Sequence, residues 1–166
     1  MITFTVPCIP VAQPRQRMRV IALPGRQPFA QNYTPKNDPV NAFKAAVQQA
    51  AVKVHSAAPL DGPLACFIEF VLPRPGSIPK REGTGRRWRD KKPDAENLAK
   101  SVLDALTGLV WRDDAQVAWL LVQKTEAALE EQASVAVTIE RLPVYSFVPV
   151  VVGEKGLQGS LFDTHA

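Results

Sequence analysis

Polar and apolar residues alternate with two different periods along this chain, and these periods predict its first elements. A period of two over Ile2 to Ile9 predicts a half-buried strand. Residues 10–35 are rich in proline and arginine, which predicts an irregular arm or a hairpin. Asp38-Pro39 then marks a helix start, and the helix is predicted to extend to about His55. Its apolar stripe consists of Val40, Phe43, Val47, Ala51 and Val54.

The second half of the chain begins with a nearly continuous apolar run, Leu64 to Leu72, interrupted only by Glu69. Such a run predicts a strand with both faces covered. Pro93-Asp94 marks the start of a second helix near Ala95, with Asp94 as a cap whose carboxylate accepts backbone N–H groups. The apolar stripe of this helix consists of Leu98, Val102, Ala105, Leu106 and Leu109.

The remaining signals complete the predicted fold. Gly108 lies where a left-handed helix end is expected. Gln116 to Lys124 and Ser134 to Arg141 predict two strands joined by an acidic turn around Glu130-Glu131. The order strand, helix, strand, helix, strand, strand predicts an α/β (α+β) domain, in which two main helices pack on a mixed β-sheet.

Composition narrows the class of protein. The chain has 166 residues, of which 46% are hydrophobic and 22% charged, as expected for one globular domain with a real core. No apolar run approaches the roughly 18 residues that a membrane span needs, so we expect a soluble, cytoplasmic protein without a membrane partner. Cys8 and Cys66 lie in apolar strand-like runs and are expected to be reduced core residues. His55 and His165 are too few and too far apart to indicate zinc.

The charge is distributed unevenly along the chain. Residues 1–100 hold 16 Lys and Arg against 7 Asp and Glu, whereas residues 101–166 hold 4 against 9. The basic residues cluster early and again in a loop over residues 73–92, which also contains Gly83, Gly85 and Trp88. This pattern favours a loop that follows a phosphate backbone, although a solvated surface loop explains it too. The candidate DNA-binding residues are Arg15, Arg17, Arg19, Lys80, Arg81, Arg86, Arg87, Arg89, Lys91 and Lys92.

Carboxylates lie on both sides of the second predicted helix. Asp94 and Glu96 are at its start, and Asp113 and Asp114 follow its end. Taken singly, Asp94 is accounted for as a helix cap, and the ladder of Glu96, Lys100 and Asp104 as surface salt bridges. Their combination beside a basic loop indicates a site for Mg²⁺, with Mn²⁺ as the alternative. Such a site suits phosphodiester hydrolysis, with Lys100 neutralising charge on the phosphate or the leaving oxygen.

The same segment carries a family resemblance. It reads Lys92-Pro93-Asp94-Ala95-Glu96-Asn97-Leu98-Ala99-Lys100, then Leu103-Asp104-Ala105-Leu106-Thr107-Gly108, then Trp111-Arg112-Asp113-Asp114-Ala115-Gln116-Val117. This resembles the signature of the RusA Holliday junction resolvases. The Pro/Arg-rich opening around Pro10 to Arg17, and Tyr33 to Lys36, resembles the phage and prophage branch of that family.

The resemblance implies a bacterial or phage-encoded homodimer that nicks four-way DNA junctions symmetrically with Mg²⁺ in recombination and repair. It places the essential acids at Asp94, Glu96 and Asp114 and the catalytic lysine at Lys100. It leaves Asp113 as a ligand, a supporting residue or a strand cap. The family usually has aspartate where this chain has Glu96, which leaves a second interpretation open: a non-catalytic, junction-binding accessory protein with an impaired metal site.

Symmetry and the C-terminal tail complete the expectations. Two nicks in strands of like polarity call for two identical sites related by a two-fold axis, which independently favours a homodimer. The RusA-like nuclease domain is expected to span residues 1–142. The tail, residues 143–166, is expected to combine an edge strand with a flexible peptide. Within it, three residues resemble the Gln-x-x-Leu-Phe peptides that dock on the bacterial sliding clamp: Gln158, Leu161 and Phe162.

Overall fold

A computed structural model describes residues 1–14, 17–33, 35–77, 79 and 83–143, with the backbone alone at residues 17, 32 and 33. Within these residues, strands and helices follow in the order β1 (Ile2–Val6), β2 (Arg17–Ile21), β3 (Phe29–Tyr33), α1 (Pro39–Val54), β4 (Leu64–Leu72), β5 (Arg87–Trp88), α2 (Ala95–Leu106), β6 (Val117–Glu126) and β7 (Ser134–Arg141). A 3₁₀ turn, Asp114–Gln116, precedes β6. The mixed-sheet α/β (α+β) fold with two main helices is thereby confirmed.

The main sheet has five strands in the order β1-β7-β4-β6-β5. The pair β4 and β6 is parallel, and the other neighbours are antiparallel. Because β4 and β6 run in the same direction, the chain must cross back between them, and α2 lies on that return path. Strands β2 and β3 form a separate hairpin, which is one of the two alternatives that the Pro/Arg-rich segment predicted.

Helix α1 forms as predicted from its start signal. The Asp38 carboxylate accepts a hydrogen bond from the backbone N–H of Val40 at 3.0 Å, and Pro39 occupies the first helical position. Four of the five predicted stripe residues are buried: Val40, Phe43, Val47 and Ala51. The prediction was wrong for Val54, which is 51% exposed, because the helix ends at that residue and no further turn holds it against the sheet.

The central strand β4 is only partly covered on one of its faces. Its even-numbered side chains, from Leu64 to Leu72, all belong to the core shared with the helices. On the other face Phe67 and Glu69 are half-buried, whereas Ala65 and Val71 are buried. The expectation that both faces are covered therefore holds at the two ends of this face and fails at its centre. There Glu69 accepts hydrogen bonds from Arg86 and Gln123 and is partly accessible to water.

Two further expectations concern membrane-spanning helices and the boundary between the domain and the C-terminal tail. None of the helices in the described part of the chain has the length and apolar character that a membrane crossing requires. The division into a domain of residues 1–142 and a tail stays a prediction, because residues 144–166 lie outside the described residues.

Candidate active site and nucleic-acid interface

The start of α2 is held by one apolar face and leaves its carboxylates exposed. Leu98, Val102 and Leu106 are completely buried, which fixes the orientation of the helix. Asp94 occupies the cap position, but its carboxylate makes no capping hydrogen bond, so this prediction was wrong. Its described contact is a long one, 3.4 Å from Asn97 Nδ2. The carboxylate is thus exposed and free of a cation partner among the described residues.

One turn further along α2, a lysine and an aspartate form a small polar cluster. Lys100 Nζ lies 3.4 Å from Asp104 Oδ1, and Lys44 Nζ from α1 lies 2.9 Å from Asp104 Oδ2. The predicted ladder is therefore present between Lys100 and Asp104. No ion pair joins Glu96 to Lys100 within the described part of the chain. The Lys100 side chain is 55% exposed, so it is accessible to a ligand from solvent.

The chain leaves α2 through a tight turn that is anchored by a buried tryptophan. Gly108 has φ +79°, a left-handed conformation that favours glycine, as the sequence predicted for this helix end. Trp111 is completely buried, and its Nε1 donates a hydrogen bond to Thr107 Oγ1 at 3.2 Å. These contacts set the position from which Asp113 and Asp114 extend into solvent.

The two adjacent aspartates have different surroundings. The Asp113 carboxylate accepts a hydrogen bond from the backbone N–H of Ala115 at 2.8 Å and thereby caps the 3₁₀ turn. The Asp114 carboxylate has no hydrogen-bond partner among the described residues. The local geometry therefore gives Asp113 a structural role and leaves Asp114 available to a ligand.

Gln116 fixes this turn against the neighbouring loop, a role that its place in the motif did not reveal. Its Oε1 accepts hydrogen bonds from the backbone N–H groups of Arg112 and Asp113 at 2.8 and 3.2 Å. Its Nε2 donates to the carbonyl oxygens of Leu60 and Gly62 at 2.9 and 3.2 Å. The first two bonds are local, whereas the two to Leu60 and Gly62 join segments more than 50 residues apart in the chain, so only the fold could reveal that Gln116 connects them.

The two groups of carboxylates lie at opposite ends of α2. Asp94 and Glu96 are at its start, whereas the turn that carries Asp113 and Asp114 follows its end. Helix α2 has 12 residues and is therefore about 18 Å long at 1.5 Å per residue. Strand β6 runs back beside the helix as expected, but it begins at the far end. Among the described residues, no three His, Cys, Asp or Glu side chains are close enough together to hold a metal ion.

Lys124, near the end of β6, connects the sheet to the segment before Asp94. Its Nζ donates hydrogen bonds to the carbonyl oxygens of Lys91 at 2.8 Å and Pro93 at 2.7 Å. Arg89 supports the same segment, because its guanidinium donates to the carbonyl oxygen of Lys92 at 2.7 and 3.0 Å. These contacts position the start of α2 and indicate that Arg89 is an internal support rather than a free cation.

The predicted DNA-binding residues therefore differ in how accessible they are. Arg86 lies between two carboxylates, 2.7 Å from Glu69 Oε1 and with its Nε 2.9 Å from Glu131 Oε1. The hydrogen bonds to Glu131 raise the pKa of Arg86, and the same contact lowers the pKa of Glu131. In contrast, Lys91 and Lys92 are exposed beside Asp94.

Other predicted contact residues lie farther from α2 or outside the description. Arg87 and Trp88 form the short strand β5, and Trp88 is 75% exposed. Arg19 is exposed on the hairpin, with its Nη2 2.8 Å from Gln31 Oε1. Several predictions fall outside the described residues or side chains: Arg15, Arg17, Lys80, Arg81, Gln158, Leu161 and Phe162.

Comparison with known proteins identifies a match that spans nearly the whole described fold. The family model described as "Endodeoxyribonuclease RusA" matches residues 7–140. The chain is also 33% identical over 131 residues to "Uncharacterized protein YqaN" of Bacillus subtilis (strain 168). That alignment covers 74% of this chain and 86% of the Bacillus protein. The family match includes the start of α2, the turn after it and the basic segment before it.

Proposed function

This chain belongs to the RusA family of endodeoxyribonucleases, and on that premise we propose that it resolves four-way DNA junctions by paired, symmetric, metal-dependent nicks. The observation that carries the proposal is the family match over residues 7–140, which contains every candidate catalytic residue. The exposed lysines directly before Asp94 support it, because a phosphate backbone bound there lies next to the carboxylates at the start of α2.

The DNA contact is proposed to centre on the segment that precedes α2. Lys91 and Lys92 are exposed and carry the charge that binds phosphates. Trp88 presents an exposed ring on which a base can stack. Arg89 acts indirectly, by holding the backbone of this segment in place. Arg19, on the hairpin, extends the predicted surface. So do Arg15, Arg17, Lys80 and Arg81, whose side chains lie outside the described ones.

Mg²⁺, with Mn²⁺ as the alternative, fits the residues at the start of α2. Asp94 and Glu96 offer hard oxygen ligands without a cation partner among the described residues, and Mg²⁺ is commonly held by one or two carboxylates together with substrate phosphate oxygens. When bound, the ion supplies activated water and stabilises charge on the phosphate. Lys100, one turn further on, is exposed and is proposed to neutralise the phosphate or the leaving oxygen.

The proposed enzyme acts as a homodimer. A single site leaves a nicked junction, whereas two sites related by a two-fold axis cut strands of like polarity. The longer side chain of Glu96 is the feature that favours the second function, a junction-binding accessory protein without turnover. Both functions predict salt-sensitive binding to four-way junctions, and only the first predicts cleavage.

The test uses the full chain and a synthetic four-way junction, with and without Mg²⁺. We expect paired nicks only with Mg²⁺. Asp94→Asn, at the proposed metal site, and Asp114→Asn, where the RusA resemblance places an essential acid, should each abolish nicking while retaining junction binding in a gel-shift assay. Asp90→Asn is the matched control, because Asp90 is an exposed carboxylate in the basic segment. It is expected to nick normally. Wild-type binding without nicking would favour the accessory protein, and absence of both would refute the junction-directed function.

The C-terminal tail supports a separate proposal, contact with a bacterial sliding clamp. Leu161 and Phe162 form an apolar pair on a polar segment, as short peptide ligands do. A tail peptide is expected to bind the clamp with micromolar affinity. Unchanged affinity in a peptide that carries Leu161→Ala and Phe162→Ala would refute this contact.

A further inference from the structure

Lys100 has one carboxylate on either side of it along α2. Glu96 precedes it by four residues and Asp104 follows it by four residues, so its ammonium can reach either of them. In an isolated helix the pair with Glu96 is the better one, because an acidic residue that precedes a basic one suits the helix dipole. Local sequence therefore favours an ion pair between Glu96 and Lys100.

The folded protein has the other pair. Lys100 Nζ lies 3.4 Å from Asp104 Oδ1, whereas Glu96 has no ion-pair partner among the residues that the structure describes. The preference of the isolated helix is thus overridden, and the cause must lie outside α2.

Helix α1 supplies that cause through Lys44. Its Nζ donates a hydrogen bond to Asp104 Oδ2 at 2.9 Å. The side chains of this pair are only 22% and 28% exposed, so water screens it less than the pair with Lys100, whose side chain is 55% exposed. Phe43, the residue before Lys44, is buried in the core that α1 shares with α2. Asp104 is therefore held from α1, and its other oxygen is left for Lys100.

We propose that Asp104 and Lys44 are positioning residues, which hold the Lys100 ammonium away from Glu96 and thereby keep the Glu96 carboxylate available to the metal. The inference rests on the proposed function for the roles of Glu96 and Lys100. A carboxylate paired with an ammonium must release it before it can bind a cation, so the ion pair and the metal compete. Asp104 removes the competitor and still keeps Lys100 one helical turn from Glu96.

The charges of this cluster act in the same direction. At Asp104, two ammonium groups share one carboxylate. Without that carboxylate both ammonium groups lack a counter-charge, and the one on Lys100 repels a cation bound near Glu96. This repulsion adds to the competition for Glu96, so both effects of losing Asp104 weaken metal binding.

Binding of Mn²⁺ to the full chain, followed by electron paramagnetic resonance without DNA, tests the inference independently of nicking. Asp104→Asn should weaken binding about two- to threefold, since a favourable i, i+4 pair holds its carboxylate for roughly half of the time or more. Asp104→Glu, which keeps the charge, should retain most of the affinity. Absence of Mn²⁺ binding by the wild type would overturn the inference, because Glu96 would then hold no metal.

A double variant separates this role from a general effect on the fold. Asp104→Asn combined with Lys100→Met should recover the wild-type affinity for Mn²⁺, because no ammonium on α2 then remains to pair with Glu96. Affinity as weak as that of Asp104→Asn alone would show that Asp104 acts only through the fold and would overturn the inference.

Lys44→Met tests the contact between the two helices. It leaves Asp104 in place but removes its anchor, so Lys100 should pair with Glu96 part of the time, and the affinity for Mn²⁺ should fall by less than in Asp104→Asn. Lys53→Met is the matched control, because Lys53 is an exposed lysine on the same helix. It should bind Mn²⁺ as the wild type does. Equal losses in the two lysine variants would contradict the role of Lys44.

Zero-length cross-linking with a carbodiimide measures the pairing itself, without metal or DNA. The reagent joins an amine and a carboxylate in contact as an amide, with loss of water, and mass spectrometry of the peptides locates the link. The wild type should link Asp104 to Lys44 and Lys100, whereas Asp104→Asn should show a new link between Glu96 and Lys100. A wild-type chain that does not nick junctions but shows this change of link and of Mn²⁺ affinity would refute the proposed function and retain the inference. A chain that nicks but gains no such link in Asp104→Asn would refute the inference alone.

Discussion

Replacement of Lys124 by methionine removes two hydrogen bonds between β6 and the segment that positions Asp94. The ammonium of Lys124 donates two hydrogen bonds, to the carbonyl oxygens of Lys91 and Pro93, and methionine retains the apolar stem without either bond. A hydrogen bond from a charged group contributes about 1.5 to 3 kcal/mol when buried. Lys124 is half-buried and water can replace part of the loss, so we expect a destabilisation of about 2 kcal/mol for both bonds together.

Thermal unfolding and nicking at 25 °C measure the two consequences of Lys124→Met. A loss of about 2 kcal/mol lowers Tm by roughly 4 to 8 °C for a chain of this size. Nicking should fall more than junction binding, because the start of α2 moves while Lys91 and Lys92 keep their charge. Lys53→Met is the control: Lys53 is exposed on α1, and we expect its Tm to stay near the wild-type value. Equal Tm values for the two variants would refute the argument that Lys124 holds this segment.

Three further outcomes follow from the site and its surroundings. Asp113→Ala should lower the free energy of unfolding by about 1 kcal/mol through loss of the cap, whereas Asp114→Asn should leave it unchanged; equal losses in urea unfolding would contradict this division of roles. The pKa of Glu131 is lowered from 4.5 by its hydrogen bonds with Arg86, so the stability that this pair contributes is present above pH 4.5 and lost as the pH falls through the lowered value. Glu131→Gln should therefore destabilise the protein at pH 6, and this loss should shrink as the pH falls below 4.5; a loss that stays the same size over that range would contradict the assignment. Burial raises the pKa of Cys66 to about 12, so its thiol should react with maleimide only in denaturant; fast reaction in the native protein would show that β4 opens.

The sequence alone predicted both helices and the strands β1, β4, β6 and β7, because the signals for them are local, whereas the short strand β5 lies in a segment predicted as a loop. The start signal Asp38-Pro39 and the apolar periodicity of α1 and α2 act within a few turns, and both helices begin at the residue the sequence indicated. β7 also has the predicted ends, Ser134–Arg141. The motif residues around α2 were sufficient to indicate the family, since their identity and spacing are properties of the chain itself.

The tertiary structure decided where those motif residues lie relative to one another. Spacing along the chain suggested that Asp94 and Asp114 bracket a single site, but a rigid helix keeps its two ends apart whatever the chemistry of the residues that flank it. The contacts of Gln116 with Leu60 and Gly62, and those of Lys124 with Lys91 and Pro93, were also invisible in the sequence, because these partners are distant in the chain and become neighbours only in the folded protein. The strand order β1-β7-β4-β6-β5 is likewise a property of the assembled sheet, since pairing partners are chosen by the fold and not by the strand.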